Sequence, residues 1–542
     1  MSSLQGELAE RVAALSAELE PLQKTAAEAF WQLNVTGEER WQAETARLRT
    51  EIRLVLSRRE PYEFLVRATQ EENGADPLVR RQALLLRNAH AENQTAPETI
   101  ERIVALETSL ENTFNTFRAQ LDGRSVSDNE IREILERSDD LDLRRQAWEA
   151  SKQIGVEVEQ ELRELVRVRN GAARALGWPT YHAMALELDE LDEHEVFAIF
   201  DRVLTGSQQS WDEYKRTLDE EQARRFGIGL AELRPWHYAD PFFQEGPAAG
   251  LDLDRWFAGR SIEQLVTEYF DAVGFDVRPI LSRSDLYEKE GKCQHAFCMD
   301  IDHAGDIRVL CNLRENEYWA STMLHELGHA VYDAGIDPSL PFVLRDASHL
   351  IVTEGSAMLF GRLSRSGAWL TRYAGMPEDE ARAADAALAV ARRAQHLHLA
   401  RWVPVMVTFE RELYRDPEQD LNGLWWSLVE RLQSLTIPES RRAGGHYADW
   451  AAKIHFSVSP AYYQNYLLGE MTASQLQAHL FGLLGGDGDV WERYVSSAEV
   501  GRFLNERVYR LGRSLDWRGT IEQATGRTLD PEPFLAEVAG AA

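Results

Sequence analysis

Basic charge and long apolar runs are what this 542-residue chain has least of: 59 lysines and arginines stand against 89 aspartates and glutamates, a formal net charge of −30. No stretch reaches the roughly 18 consecutive apolar residues of a membrane span. The opening MSSLQGELAERVAALSAELE carries acids where a secretion signal needs a basic head and an unbroken apolar segment. The chain is therefore expected to be soluble and cytoplasmic, with Asn34-Val-Thr36 and Asn93-Gln-Thr95 unglycosylated. Without a basic footprint, neither nucleic acid nor an anionic membrane is an expected partner, which leaves small solutes and peptides. Cysteine is scarce as well: Cys293, Cys298 and Cys311 lie within 19 positions, too few and too local for a disulfide framework or a four-thiolate zinc site. Lysine occurs six times in all, so Lys453 is not background. No repeat of about 20–50 residues is present.

What the chain does have is helical periodicity. Leu4, Leu8, Val12, Leu15 and Leu19 step by three or four, and the spacing returns through 97–120, 126–175, 192–222 and 377–414. The fold class is mainly α. Length alone allows two to four domains. The segment 226–253, punctuated by Gly and Pro, holds Trp236, Tyr238, Phe242 and Phe243 and is expected to be an ordered loop rather than a linker. Strand patterns occur at 293–301 and 306–311, which flank His303-Ala304-Gly305 as a hairpin, and at 453–459, KIHFSVS, where polar and apolar residues alternate.

One helical stretch carries chemistry. From Glu317 to Ala334, Asn316 is placed to cap a helix, Gly335 and Pro338 to close it, and Met323, Leu324, Leu327, Ala330 and Val331 form its apolar stripe. Within it lies His325-Glu326-Leu327-Gly328-His329. Residues four apart on a helix point about 40° from one another, so both imidazoles can reach one metal at about 2.0–2.1 Å. Glu326 then projects toward the open side, where it can hold and deprotonate a zinc-bound water. A third ligand is required. In the following stretch, 345–363, Glu354 stands among apolar neighbours, where a carboxylate is costly to bury without a cation or donor. His349 is the competing ligand; its ordinary role is that of a histidine at a helix end, near Asp346 and Ser348.

These residues resemble the angiotensin-converting-enzyme (peptidyl-dipeptidase A) family, and more distantly the thimet-type oligopeptidases. HELGHAVYDAGIDPSLPFVLRDASHLIVTEGSAML is similar to that family's zinc region in spacing and in its PFVLR segment; AFWQLNVT (29–36) and RRQAWEASKQIG (144–155) resemble its earlier helices. The resemblance implies a single catalytic domain over 1–542, two helical lobes built from non-contiguous segments around a deep channel, with a small β-hairpin beside the motif helix. It implies one Zn2+ held by His325, His329 and Glu354, and Glu326 as general base and acid. His295 matches the family's substrate-binding histidine, and the strand bearing it and Ala296 is placed to pair with an extended peptide. Lys453 and Tyr463 match residues that bind the substrate's C-terminal carboxylate, with Tyr462 as the alternative to Tyr463 because one extra residue intervenes. His455 matches a histidine that contacts a substrate carbonyl, and Tyr466 the tyrosine whose phenol stabilises the oxyanion. Ser459-Pro460 reads as the cap and first residue of a helix carrying all three tyrosines.

The chain also departs from the family pattern. An acid that supports a ligand histidine is replaced by Met358, so another group must orient that imidazole. Chloride-binding arginines are replaced by Lys152, Val429 and Asn465, and activity is expected not to depend on chloride. Cys293 and Cys311 resemble a family disulfide pair but are expected to be thiols in a reducing compartment. The glutamine that joins the lysine at the carboxylate has no evident counterpart. The expected function is zinc-dependent hydrolysis of oligopeptides with release of C-terminal dipeptides; the alternatives are an endo-acting oligopeptidase and a catalytically silent peptide-binding relative.

Overall fold

A computed structural model describes residues 2–70, 75–246, 250–485 and 489–540. Among them are 24 α-helices and two two-stranded antiparallel sheets, so the mainly α fold class holds. None of these helices is long and apolar enough to cross a membrane. The chain divides into two compact units, each assembled from separated segments: 1–94, 249–389 and 468–534 in one, 95–248, 390–467 and 535–542 in the other.

The first unit begins with the helix Ser2–Thr36. Its periodic face works as the spacing predicts: Leu8, Val12, Leu15 and Leu19 are buried in one cluster with Val55, Phe64, Leu65 and Leu86 from the helices that follow. The side chain of Leu4 lies outside the described ones. The expected hairpin forms, Phe297–Asp300 against Ile307–Leu310, with Phe297 opposite Leu310 and Asp300 opposite Ile307. His303 and Gly305 turn it with φ of +51° and +111°, and a glycine takes the second of these at no steric cost. The strand starts later than expected, however. Cys293 N–H donates to Asn34 O at 2.8 Å and its carbonyl accepts from Asn312 Nδ2 at 3.0 Å. With its backbone committed elsewhere, 293–296 stays out of the ladder, and His295 and Ala296 precede the strand instead of lying on it.

The second unit is organised on the helix Leu141–Ala175, whose Ala147, Trp148, Val158, Leu162, Leu165 and Val166 are buried. The periodic stretches appear as Pro97–Thr116, Asp128–Arg137 with Leu141–Ala175, Glu193–Gly206 with Gln208–Phe226, and Glu378–Arg415, the last running across both units. Two strand expectations fail here. A hairpin absent from the sequence reading, Ala119–Leu121 with Arg124–Val126, turns on Asp122 and Gly123 at φ +50° and +77°, as an Asp-Gly pair favours. KIHFSVS is not a strand: Asp449–Ala452 is a 3-10 turn and His455–Val458 one turn of α-helix. Alternation without a partner strand makes no ladder. Ser457 Oγ instead donates to Ile454 O at 2.7 Å, so Lys453, His455 and Ser457 share no strand face. Nor do Ser459 and Pro460 start a helix. Ala461 adopts φ +53°, and the helix begins at Gln464 and runs to Leu484. The loop from 226 is ordered by 3-10 turns, with Tyr238 and Phe243 buried; residues 247–249 of that reading lie outside the described ones.

Candidate metal centre and carboxylate cluster

The motif helix runs Glu317–Gly335, and the Asn316 side chain accepts from Trp319 N–H at 3.0 Å to cap it. Met323, Leu324, Leu327, Ala330 and Val331 are all at most 2 % exposed. The next helix, Leu350–Gly361, is capped by His349, whose Nδ1 accepts from Ile351 N–H at 3.0 Å. His349 thus performs its ordinary role. Gly328 lets the two helices meet: a Cβ there would stand 2.7 Å from Ala357 Cα and 2.9 Å from the Phe360 ring. The motif's glycine is needed for packing, and the closeness it permits brings Glu354 opposite the two histidines.

The ligating atoms of His325, His329 and Glu354 lie within 4.8 Å of one another. His325 Nε2 is 3.7 Å from Glu354 Oε2, and His329 Nε2 is 4.0 Å from Oε1. Both gaps are too long for hydrogen bonds. They approach the about 3.3 Å separating two ligands at 2.0–2.1 Å from a tetrahedral ion. Two imidazoles and a carboxylate leaving a fourth position are also the donor set of catalytic zinc sites, so these residues fit the ion. Burial pushes the imidazoles down, His325 to about 4 and His329 to about 3, so both are neutral, as ligands must be. Burial pushes Glu354 up to about 7; a divalent cation would reverse that shift. Glu326 is 8 % exposed. Burial first, then the Glu354 carboxylate, push it up to about 8, against a backbone hydrogen bond from Cys298. A carboxyl poised near neutrality is suited to take and return a proton.

Where the family has an acid, Met358 leaves the imidazole to another partner. That partner is Thr353, whose hydroxyl is 2.7 Å from His329 Nδ1. With Nδ1–H donating to Thr353 Oγ1, Nε2 keeps its lone pair toward Glu354, the role an outer partner plays for a ligand histidine. Thr353→Val, nearly the same in shape, is expected to weaken zinc binding about 10–100-fold, as read by competition with a chromophoric chelator, with little change in melting temperature. His295 is exposed. All three cysteines are free.

Lys453, His455, Tyr462, Tyr463 and Tyr466 belong to the other unit. Lys453 is 9 % exposed, its ammonium 4.7 Å from the Phe242 ring centroid and 5.1 Å from that of Trp402. It donates to Gln244 Oε1 at 2.9 Å, a partner the sequence reading did not find. Gln244 is aimed by its loop: Asp240 Oδ1 accepts from Phe242 N–H at 2.8 Å and Gln244 N–H at 3.0 Å, while Phe243 turns the chain at φ +54°. Tyr463 is buried and its hydroxyl accepts from Trp402 Nε1 at 3.2 Å. The His455 ring lies 4.8 Å from that of Tyr463, and Tyr466 touches both Tyr462 and Tyr463, at 5.4 and 5.2 Å. The tyrosines meet as their spacing predicts, although two of them precede the helix. Burial pushes Lys453 down to about 8 and His455 down to about 4. An aromatic-walled ammonium beside a carboxamide can receive a carboxylate. Of the chloride positions, Val429 and Asn465 are buried, and Lys152 Nζ donates to Pro241 O at 2.9 Å over the Phe242 ring.

Residues 5–204 match the family model described as angiotensin-converting enzyme. No curated protein matches the chain. The motif helix lies beyond the matched segment, so the match and the His325–His329–Glu354 geometry come from different parts of the chain. The resemblance to the angiotensin-converting-enzyme metallopeptidases read from the sequence is borne out over residues 5–204, the segment that the family model matches.

Proposed function

We propose that this chain is a zinc-dependent peptidase that releases dipeptides from the free C-terminus of oligopeptides, in the cytoplasm and without a requirement for chloride. The observation that carries the reading is the convergence of His325, His329 and Glu354, with donor atoms within 4.8 Å, one residue along from a buried glutamic acid. Zinc held there would supply Lewis acidity, polarising the scissile carbonyl and acidifying water. Glu326 takes the proton of the attacking water and returns it to the leaving amine. Tyr466 donates its phenolic hydrogen to the developing oxyanion. Lys453, Gln244 and Tyr463 bind the terminal carboxylate, and His455 the carbonyl next to it. His295 and Ala296, which precede the strand Phe297–Asp300, bind the peptide backbone.

Lys453 supports the exo-acting mode. Among the described residues its ammonium donates one hydrogen bond, and a buried cation so sparsely paired is costly unless an anion joins it. Amidating a peptide's C-terminus removes that anion. An amidated peptide is therefore expected to be cleaved about 10–150-fold less efficiently than the free acid, the 1.5–3 kcal/mol of a charged hydrogen bond, in a kcat/KM comparison by chromatography. Equal cleavage of acid and amide would replace this mode with endo-acting hydrolysis.

A further inference from the structure

Between Lys453 and the helix that starts at Gln464 the chain makes one helical turn and then an irregular stretch, with Val458 40 % exposed but three residues buried: Phe456 is 1 % exposed, Ser457 0 % and Ala461 8 %. Buried backbone outside a ladder must find partners for its polar groups. Here two charged side chains provide them. Arg169, from the helix Leu141–Ala175 and 1 % exposed, donates from Nη1 to Phe456 O at 3.2 Å and from Nη2 to Ser457 O at 2.6 Å. Its remaining bonds go to Tyr414 Oη at 3.0 Å and Glu107 Oε1 at 2.6 Å. Glu410, from the helix Glu378–Arg415 and 2 % exposed, accepts the Ala461 N–H on Oε1 at 2.9 Å. That amide belongs to the residue at φ +53°, where an alanine pays a steric penalty.

We propose that Arg169 and Glu410 are positioning residues for substrate binding: a buried guanidinium and a buried carboxylate grip the backbone at Phe456, Ser457 and Ala461, and so set where His455 and Tyr463 point. The proposal rests on the reading that His455 and Tyr463 hold peptide. Burying two opposite charges is a poor way to gain stability, since apolar residues of equal volume often do as well. What charged side chains add is direction, because each bond fixes one carbonyl or one amide. Arg169 holds the two middle carbonyls of the turn His455–Val458, and Glu410 holds the strained residue two before Tyr463.

The test compares wild type with Glu410→Ala, Glu410→Gln and Arg169→Lys. In Glu410→Ala, amide hydrogen exchange over 455–466 is expected to be about tenfold faster or more, with other regions and zinc content unchanged. KM for a free-acid peptide is expected to rise about tenfold while kcat falls less. Glu410→Gln, which keeps an oxygen for the Ala461 amide, is expected to restore KM to within about threefold. Unchanged exchange in Glu410→Ala would overturn the grip. Faster exchange with unchanged KM, or a Gln variant as impaired as Ala, would overturn its role toward substrate. Should Glu410→Ala not fold, Arg169→Lys, which cannot reach two carbonyls and a phenol together, carries the same readings. If the wild type cleaves no peptide, the functional reading fails, and the exchange comparison still decides whether the two residues hold the segment.

Discussion

Glu326→Gln is expected to lower kcat by about 10²–10⁴-fold, the contribution of a positioned general base, while zinc content and melting temperature stay at the wild-type level. The substitution changes a carboxyl oxygen to an amide nitrogen and leaves the shape in place. Burial pushes the Glu326 carboxyl up to about 8 in the metal-free protein, and the amide keeps the shape and packing of the carboxyl, which is why stability is expected to hold. The loss then falls on kcat more than on KM, since the base is used in the transition state. Steady-state kinetics with one peptide, beside metal analysis of the same preparations, reads both. A Gln variant with kcat near wild type would remove Glu326 from the mechanism.

Removing a ligand acts earlier. Glu354→Ala is expected to cost more zinc affinity than the about 10–100-fold lost with an outer partner such as Thr353, leaving protein purified from metal-limited medium free of zinc and inactive. The sign of its stability effect depends on the metal. Without zinc, the Glu354 pKa is raised from 4.5 to about 7: the buried carboxyl is easily kept at low pH and costs stability as pH rises from about 4.5 through 7, as its charge forms without compensation. The metal-free Ala variant should therefore be at least as stable as metal-free wild type above pH 7. With zinc the order reverses, because binding to the folded state adds stability that the variant cannot gain. Thermal melts at pH 5 and 8, with and without a chelator, separate the two. Equal zinc content in wild type and Glu354→Ala would contradict the assignment of Glu354 as a ligand.

The readable parts of the site are the local ones. His325 and His329 are four apart on one helix, the capping Asn316 and apolar stripe announce that helix, and Glu354 is conspicuous as an acid in an apolar stretch. His349 could be weighed against it as a histidine at a helix end, and the structure makes it that helix's cap. Thr353 was hidden by being next to Glu354 in sequence, with an ordinary side chain, while attention to one helical turn beyond led to Met358. Gln244 was hidden for a different reason: it lies 209 positions from Lys453 on a loop whose aim depends on Asp240 and on Phe243 turning left-handed. The error at 453–459 came from reading period-2 alternation in a segment with no partner strand, where Arg169 and Glu410 take the backbone bonds that a sheet would have provided. The small hairpin at 119–126 was announced by Asp122-Gly123 and obscured by the helical patterns on either side.

The measurement that bears most directly on the central claim is a digest of a defined peptide mixture by wild-type protein whose zinc has been quantified in the same sample, with products read by mass spectrometry. The account predicts about one zinc per chain and products shortened from the C-terminus two residues at a time. Protein carrying that zinc and leaving every peptide intact would contradict it.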